Sequence, residues 1–287
     1  MKQKSFTKRK SLKKKSLKKR KYTNRGKTIK IFRNYGGSEK KSIILIQYNN
    51  CLYVGDVDEN NLPNGKGSAD FKDGSKYDGE WVNGEINGNG IMSFKNGDKY
   101  EGNFLDGLPN GIGIMDFNDG RIYEGNWLNG KINGNGKMKY SNGGEYDGEW
   151  VNGQMNGKGN LIFSDGKKYQ GDVVNGTING KGIMTFPSGH IYEGDFINGQ
   201  FNGKGKVLYP SGNTYEGDWE NGKKQGNGIM NFVNGDIFEG KFENDMMHGL
   251  GKFIKKDQDG NIIKTYEGLY ENNQPSTSSI ANPELLD

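Results

Sequence analysis

Few residues in this chain have the types and spacing that catalysis or metal binding requires. The sequence has two histidines, His190 and His248, far apart along the chain, and one cysteine, Cys51. A general base or a metal site needs several such groups within reach of one another, so surface histidines and a structural thiol are the favoured interpretation. The Gly-Lys-Gly triplet at 65–67 lacks the spacing and the following Ser or Thr of a phosphate-binding loop. The sequence therefore predicts no enzyme active site, no metal site and no cofactor.

The strongest chemical signal is a basic segment at the N-terminus. Residues 1–41 contain 18 Lys and Arg against the single acid Glu39, so that 22 basic and 34 acidic residues remain for positions 42–287. The two parts carry formal charges of about +17 and about −12. Like charges at this density repel one another, and residues 1–27 are predicted to be disordered. The residues expected to contact a polyanion are Lys8, Arg9, Lys10, Lys13, Lys14, Lys15, Lys18, Lys19, Arg20 and Lys21.

Four interpretations of this basic segment fit its charge. It tethers the protein to anionic phospholipid, it contacts nucleic acid or another polyanion, it is a nuclear import signal, or it is a solubilising tail without a specific partner. The acidic remainder of the chain should be repelled by anionic lipid, so a membrane contact is expected through the basic segment. No apolar stretch of signal-peptide length follows the basic residues. The expected location is cytoplasmic, peripheral at a membrane or the cytoskeleton, with a nuclear location as the alternative.

A strict internal repeat supplies the elements that must position these groups. The stretch from Tyr77 to Lys99 recurs with a spacing of 23 residues, and a first unit of 24 residues begins at Tyr53. The later units begin at Tyr100, Tyr123, Tyr146, Tyr169, Tyr192, Tyr215 and Phe238. With 48 Gly and 31% apolar residues, an array in which each unit packs on its neighbours is favoured over one compact core.

Each unit has the pattern of two short antiparallel strands. Counting the leading aromatic residue as position 1, positions 1, 3 and 5 alternate as Tyr, Gly and an aromatic residue or Val, which is a strand signal. An Asn-Gly or Asp-Gly pair follows, such as Asn83-Gly84, and tolerates the positive φ values of a tight hairpin turn. The return strand carries Gly at positions 12 and 14, an apolar residue at 16 and an aromatic residue at 18. The sequence therefore predicts an all-β fold, an elongated single-layer antiparallel β-meander of about nine 23-residue units with two strands each.

The rings at positions 1, 5 and 18 share one face and form an aromatic stripe. The strand glycines leave bare backbone opposite these rings. Two interpretations are held together: the inner rings are the core, and a residual exposed strip docks an apolar helix or peptide of a protein partner. The residues of the stripe are Tyr77, Trp81, Phe94, Tyr100, Phe104, Phe117, Tyr123, Trp127, Tyr146, Trp150, Tyr169, Tyr192, Phe196, Tyr215 and Trp219.

The acidic residues recur at positions 2 and 4, as at Asp78 and Glu80. Because these positions alternate with the aromatic stripe, they are expected on the opposite face as an acidic ladder. A solvated face is favoured over a cation site, since ligands one repeat apart are too far from one another to share an ion.

The segments that flank the array complete the predicted domain organisation. Residues 28–52 are predicted to form capping strands that cover the first edge, and the array is predicted over 53–273, with a partial last unit after the pattern decays beyond Phe238. Residues 274–287 are predicted to be a disordered tail. If the edge beyond Tyr266 is uncovered, two chains are expected to pair there as a homodimer.

The repeat resembles a known family. Tyr-Asp-Gly-Glu-Trp at 77–81 and 146–150, followed by Asn-Gly, Gly-x-Gly and a closing Gly, is similar to the MORN repeat (membrane occupation and recognition nexus). The resemblance covers Tyr53 to about Tyr270. It implies an extended, gently curved antiparallel sheet that acts as a scaffold or docking platform, near membranes, in cytoskeletal and ciliary assemblies, or beside a catalytic domain. Because the sequence ends shortly after the repeats, the lipid-kinase and lysine-methyltransferase activities of some relatives are not expected.

These inferences combine into one leading hypothesis and two alternatives. The leading hypothesis is a non-enzymatic scaffold whose ribbon docks protein partners and whose basic segment tethers it to an anionic membrane surface. The first alternative is a structural component of a cytoskeletal or ciliary complex. The second is a nuclear or nucleic-acid-associated protein that acts through the basic segment.

Overall fold

The computed structural model describes residues 29–32 and 42–276, and these form one 22-stranded antiparallel sheet. Each strand pairs with the strands before and after it in the sequence. This confirms the predicted all-β, single-layer meander with two strands per repeat. Within residues 29–32 and 42–276, no helix is long and apolar enough to cross a membrane.

The strands are β1 (Ile29–Phe32), β2 (Ser42–Tyr48), β3 (Cys51–Val57), β4 (Pro63–Phe71), β5 (Lys76–Val82), β6 (Glu85–Ser93), β7 (Lys99–Leu105), β8 (Leu108–Asp116), β9 (Ile122–Leu128), β10 (Lys131–Lys139), β11 (Glu145–Val151), β12 (Gln154–Ile162), β13 (Lys168–Val174), β14 (Thr177–Thr185), β15 (Ile191–Ile197), β16 (Gln200–Leu208), β17 (Thr214–Glu220), β18 (Lys223–Asn231), β19 (Ile237–Glu243), β20 (Met246–Lys256), β21 (Ile262–Glu271) and β22 (Gln274–Pro275).

The hairpin turns within the units have the predicted geometry. Asn83 and Gly84 have φ values of 52° and 87°, which are the two positive values that a tight two-residue turn requires. The turn Gly84 N–H also donates to the Pro63 carbonyl of the preceding unit, at 2.8 Å. Although Asp245 replaces the turn glycine after Phe238, it adopts a φ of 71°, so the hairpin is kept where the sequence pattern decays.

One glycine from each strand between β3 and β21 lies in a continuous row across the sheet, called here the glycine row. Adjacent members are paired directly, as in Gly125 with Gly136 and Gly136 with Gly148. The row consists of Gly55, Gly67, Gly79, Gly90, Gly102, Gly113, Gly125, Gly136, Gly148, Gly159, Gly171, Gly182, Gly194, Gly205, Gly217, Gly228, Gly240, Gly251 and Gly268.

A β-bulge follows the glycine row in every unit's hairpin. In the second unit, β5 advances from Gly79 to Trp81 while its partner β6 passes from Gly90 back to Ile86, so the return strand has extra residues. Gly88 lies in this excess with a φ of 82°. Bulges bend the strand and increase its twist, and a bulge recurring at the same place in successive units bends the whole sheet along one line.

The ends of the sheet are built differently from its middle. β1 pairs with β2, and β2 pairs with β3, so β3 has a partner on both sides. At the other end, Tyr270 and Glu271 of β21 pair with β22, and the Leu269 carbonyl accepts the Ser276 N–H at 2.7 Å. The predicted disordered segment 1–27 and residues 277–287 lie outside the described residues, and the domain boundaries and the homodimer stay predictions.

Candidate functional site

The leading tyrosines lie flat on the glycine row. Tyr123 is completely buried, and a Cβ placed on Gly136 would overlap its ring. The Tyr123 hydroxyl donates to the Asn126 carbonyl at 3.0 Å, within the same strand. Glycine at these positions thus has a packing cause, because any side chain would occupy the space of the ring.

The aromatic residues at position 5 join neighbouring units. The Trp150 indole Nε1–H donates to the Gly136 carbonyl of the preceding unit at 2.9 Å. Its ring makes edge-to-face contacts with Tyr123 and Tyr146, with centroids 5.6 and 5.1 Å apart. Repetition of this contact produces an aromatic chain, in which each junction between units adds ring pairing to backbone hydrogen bonding.

The aromatic chain is interrupted at one place in the described array. Edge-to-face contacts continue from Tyr53 to Tyr146 and again from Tyr169 to Tyr270. Between these two series, position 5 is Val173, which is buried but has no ring. The junction at Val173 is therefore packed without the aromatic contacts that the other junctions have.

The sheet curls so far that its two rows of turns approach each other over the aromatic face. The rings of Phe186 and Phe201, which lie near opposite rows of turns, have centroids 6.2 Å apart. The Tyr140 hydroxyl likewise contacts the Met155 sulfur at 4.0 Å. Strands of nine residues would separate these positions by roughly 25 Å in a flat sheet. The curl converts the aromatic face into an enclosed core, which is how a single layer buries its rings.

The predicted aromatic stripe divides into a core set and a half-buried set. Phe94 and Phe117 are half-buried, and docking of a partner on them stays a prediction. The buried members, which form the core, are Tyr77, Trp81, Tyr100, Phe104, Tyr123, Trp127, Tyr146, Trp150, Tyr169, Tyr192, Phe196, Tyr215 and Trp219.

Burial of the leading tyrosines gives the array a pH limit. Desolvation raises the pKa of Tyr77, Tyr100, Tyr123, Tyr146 and Tyr169 to about 12, against an unperturbed value of 10.0. A pKa raised in the folded state means that stability is complete below pH 10 and is lost as the pH rises towards 12.

We expect cooperative alkaline unfolding between about pH 10 and about pH 12. Far-ultraviolet circular dichroism and tyrosinate absorbance should change together, because the rings ionise when the core opens. The chain in denaturant is the control, and its tyrosines should titrate near pH 10. Ionisation of these tyrosines near pH 10 in a chain that keeps its β signal would contradict the role assigned to their burial.

The acids at position 4 have a structural role that the sequence does not reveal. The Asp195 carboxylate accepts the Lys204 backbone N–H at 3.1 Å within its own hairpin, and it pairs with Lys181 Nζ of the preceding unit at 2.7 Å. The hydrogen bond from Lys181, with a further one from the Lys204 N–H, keeps the pKa of Asp195 below its usual range. Equivalent ion pairs join Lys158 to Asp172 and Lys204 to Asp218. These acids therefore stabilise the bulge of their own hairpin by a hydrogen bond, and they join neighbouring units through ion pairs.

The acids at position 2 do not form the uninterrupted ladder that the sequence suggests. Return-strand residues separate them, so that Ile91 lies between Asp78 and Glu101, and Ile114 lies between Glu101 and Glu124. In other units the intervening residue is a lysine, such as Lys206 between Glu193 and Glu216. The outer face is therefore a mixed surface of acidic, basic and aliphatic side chains.

A second outer feature is a row of exposed aliphatic residues at position 6, next to the hairpin turns. Each member is about half exposed, between 47% and 52%, and the row ends at Glu220, which takes the same position in the following unit. We call this set the aliphatic row: Val82, Leu105, Leu128, Val151, Val174 and Ile197.

The repeat geometry agrees with a match to a family model. The model described as MORN repeat matches nine consecutive segments: 53–76, 77–99, 100–120, 123–145, 146–168, 169–191, 192–214, 215–237 and 238–260. The chain belongs to the MORN-repeat family. The resemblance inferred from the sequence is thereby confirmed, and the array is a repeat scaffold of this family.

Solved structures of other proteins match the MORN array at low sequence identity. No curated protein matches the chain. The TCP10 domain of Danio rerio CPAP, solved with a STIL peptide, is 12% identical, with 83% of this chain and 99% of that chain covered and a TM-score of 0.41. The Drosophila melanogaster SAS-4 (dCPAP) TCP domain, solved with a proline-rich motif of Ana2, is 18% identical, with 59% and 84% covered and a TM-score of 0.34. The CPAP G-box domain is 15% identical, with 70% and 98% covered and a TM-score of 0.35.

The two histidines and the cysteine lie apart from one another in the structure. His190 packs between the Phe186 and Tyr209 rings, and His248 lies 3.6 Å from a Glu243 carboxylate oxygen. Cys51 is buried, its thiol donates to the Tyr48 carbonyl at 3.1 Å, and burial raises its pKa to about 11. The described part of the chain contains no group of three or more His, Cys, Asp and Glu that could hold a metal ion.

One buried cation of the array, Lys224, was not among the site residues predicted from the sequence. Lys224 occupies position 10, where the other units carry apolar residues, and its ammonium lies 5.5 to 5.8 Å from the ring centroids of Tyr209, Tyr215 and Phe242. Desolvation lowers its pKa. The signal available in the sequence was this single polar residue at an otherwise apolar position.

The predicted polyanion contacts, from Lys8 to Lys21, lie outside the described residues. Their role stays a prediction.

Proposed function

We propose that this MORN-repeat chain is a non-enzymatic scaffold, which docks protein partners along its array and is tethered to an anionic membrane surface by its basic N-terminal segment. The location that follows is the cytoplasmic face of a membrane. Two separate parts of the chain supply the two activities, because the array and the segment carry opposite net charge.

The observation that carries the docking part is the aliphatic row. Six consecutive units each present one half-exposed Val, Leu or Ile, from Val82 to Ile197. Successive members are two strands apart, roughly 10 Å. A line of apolar groups at fixed spacing, bordered by polar residues such as Glu85 and Lys131, is typical of a protein interaction surface.

The charge of the basic segment supports the membrane part. Its lysines and arginines are concentrated between Lys8 and Lys21, and each basic residue near an anionic bilayer adds about 1 kcal/mol of binding free energy. The acids at positions 2 and 4 make the array a poor contact for the same surface, so the segment and not the sheet should face the lipid.

The test uses the full-length chain with charges removed from the segment. Replacing Lys13, Lys14, Lys15, Lys18, Lys19 and Arg20 by Gln should weaken binding to phosphatidylserine-containing vesicles at least about a hundredfold. Binding is measured by vesicle flotation with and without about 30% phosphatidylserine, and neutral vesicles should bind neither protein.

The matched control removes the same number of charges from the array. The residues replaced by Gln are Lys66, Lys72, Lys99, Lys131, Lys139 and Lys168, which are exposed. This control should bind anionic vesicles nearly as well as the parent chain, because these lysines lie in the array and not in the basic segment. Equal loss of binding in both variants, or binding that survives in the segment variant, would refute the tether. Co-sedimentation with cytoskeletal polymer but not with vesicles would favour the cytoskeletal alternative instead.

A further inference from the structure

A cavity of about 340 Å³ lies at the N-terminal end of the MORN array, between the two rows of turns. Cys51, Trp81, Ile86 and Met92 line it and are buried. Phe71 and Phe94 line the same space and are half-buried. The floor is therefore apolar, and the volume exceeds that of one aliphatic side chain. We call this space the N-terminal cavity.

The rim of the N-terminal cavity is acidic. Asp73 is exposed on the turn after β4, and Glu85 is exposed at the start of β6 on the opposite row of turns. No Lys or Arg lines the cavity, and the ion pairs found among the described residues involve neither carboxylate. An apolar floor between two carboxylates is complementary to an apolar side chain with cations on both sides of it.

The path of the chain brings a segment of this chemistry to the cavity. β1 is antiparallel to β2, with Ile29 opposite Leu45 and Phe32 opposite Ser42. β1 therefore begins, at Ile29, on the side that faces the Tyr48 end of β2, and Tyr48 lines the cavity. The basic segment precedes this start of β1 in the sequence.

The sequence before β1 has the matching composition. Residues 11–15 and 16–20 read Ser-Leu-Lys-Lys-Lys and Ser-Leu-Lys-Lys-Arg, so that each unit has one leucine among cations. Leu17 is separated from Ile29 by a stretch that spans up to about 40 Å when extended, which is ample to return to an opening next to β2.

We propose that residues 8–21 bind back onto the N-terminal cavity of the same chain, with Leu17 inside it and the neighbouring lysines against Asp73 and Glu85. This regulatory contact rests on the proposed membrane function, because a segment held by the array's own carboxylates has fewer charges free for lipid. Anionic lipid and the cavity then compete for the same segment, and binding to a membrane uncovers the cavity.

A thiol at the mouth of the cavity reports whether it is covered, without any membrane. Ser75 lines the cavity and is half-buried, so the full chain carrying Cys51→Ser and Ser75→Cys has a single reactive group there. Its rate of reaction with uncharged iodoacetamide should rise about fivefold or more when Leu12→Ser and Leu17→Ser are added, because the segment no longer holds the cavity closed. Both leucines are changed because Leu12 has the same position in the first five-residue unit that Leu17 has in the second. In the Leu17→Ser chain alone, Leu12 would be able to enter the cavity in its place.

The matched control places the same two substitutions on the outer face. Leu208→Ser and Leu250→Ser replace exposed leucines far along the array and should leave the rate unchanged. Equal rates in the parent and the Leu12→Ser, Leu17→Ser chain would overturn the proposal. A difference that disappears on dilution would also overturn it, because the occupant would then come from a second copy.

The rim carboxylates provide the link to lipid. Asp73→Asn with Glu85→Gln should raise the thiol rate in the same way, and it should tighten binding to phosphatidylserine-containing vesicles about threefold. If thiol rates respond while no variant binds vesicles, the cavity contact stands and the membrane function fails. If vesicle binding depends on the segment lysines while thiol rates are equal, the membrane function stands and this inference fails.

Discussion

Replacing Gly136 by Ala is expected to destabilise the array by about 3 kcal/mol or more. The new Cβ would lie 2.5 Å from Cζ and 2.6 Å from Cε2 of Tyr123, in addition to overlapping its hydroxyl. The ring cannot move away, because it is fully buried and packs on Trp127 and Trp150. Relief requires a shift of the backbone in the glycine row. Unfolding by denaturant, followed by circular dichroism, measures the loss of free energy.

The control for this substitution is Gly144→Ala. Gly144 also has no positive φ, and its Cβ would meet Asn142 Oδ1 at 3.1 Å, the Ile162 carbonyl at 3.3 Å and Tyr140 Cδ2 at 3.7 Å, none of them as close as the Tyr123 ring is to a Cβ on Gly136. We expect a loss below about 1 kcal/mol there. Adding Tyr123→Phe to Gly136→Ala should not restore stability, since the ring carbons still overlap the new Cβ. Similar losses at both glycines would show that the tyrosine ring is not what requires glycine.

The second large effect is expected at Val173, where the aromatic chain is interrupted. Val173→Phe should stabilise the array by about 2 kcal/mol, because two edge-to-face pairs of about 0.5 to 1.5 kcal/mol each become available with Tyr146 and Tyr169. Phenylalanine already occupies this position in the units of Phe104 and Phe196, where the ring fits between consecutive tyrosines.

The opposite substitution tests the same idea from the other side. Trp127→Val should lower the free energy of unfolding by about 3 kcal/mol and create a second junction without ring contacts.

The weak junction should also decide where unfolding begins. Repeat arrays are stable through coupling between neighbours, so the parent chain should unfold first at the Val173 junction, and Val173→Phe should make the transition sharper. Hydrogen exchange followed by mass spectrometry locates the junction. Uniform exchange along the parent array, with no change in either variant, would contradict this account.

The sequence determined the architecture of this protein because its signals are local and repeated. A spacing of 23 residues fixes the unit, and Asn-Gly pairs fix the hairpins, since few residues tolerate two positive φ values in succession. Alternation with period two assigns each residue of a strand to a face. The alternation of Tyr77, Gly79 and Trp81 therefore predicts a face of aromatic rings with glycine backbone opposite them.

The tertiary structure decided what those faces are used for. The curl along the bulges encloses the aromatic face, so most of the stripe is core, while the half-exposed row from Val82 to Ile197 is left outside. Pairing between units assigns Asp195 to a bulge and a lysine, although the sequence shows only an acid at a repeated position.

The N-terminal cavity is likewise lined by residues from both rows of turns. Asp73 and Glu85, which lie in opposite rows, both line it because the sheet bends. Local rules specify strands and turns, but contacts between edges roughly 25 Å apart along a flat strand depend on the summed bend of many hairpins. That sum is a property of the folded sheet and has no counterpart in any single unit of the sequence.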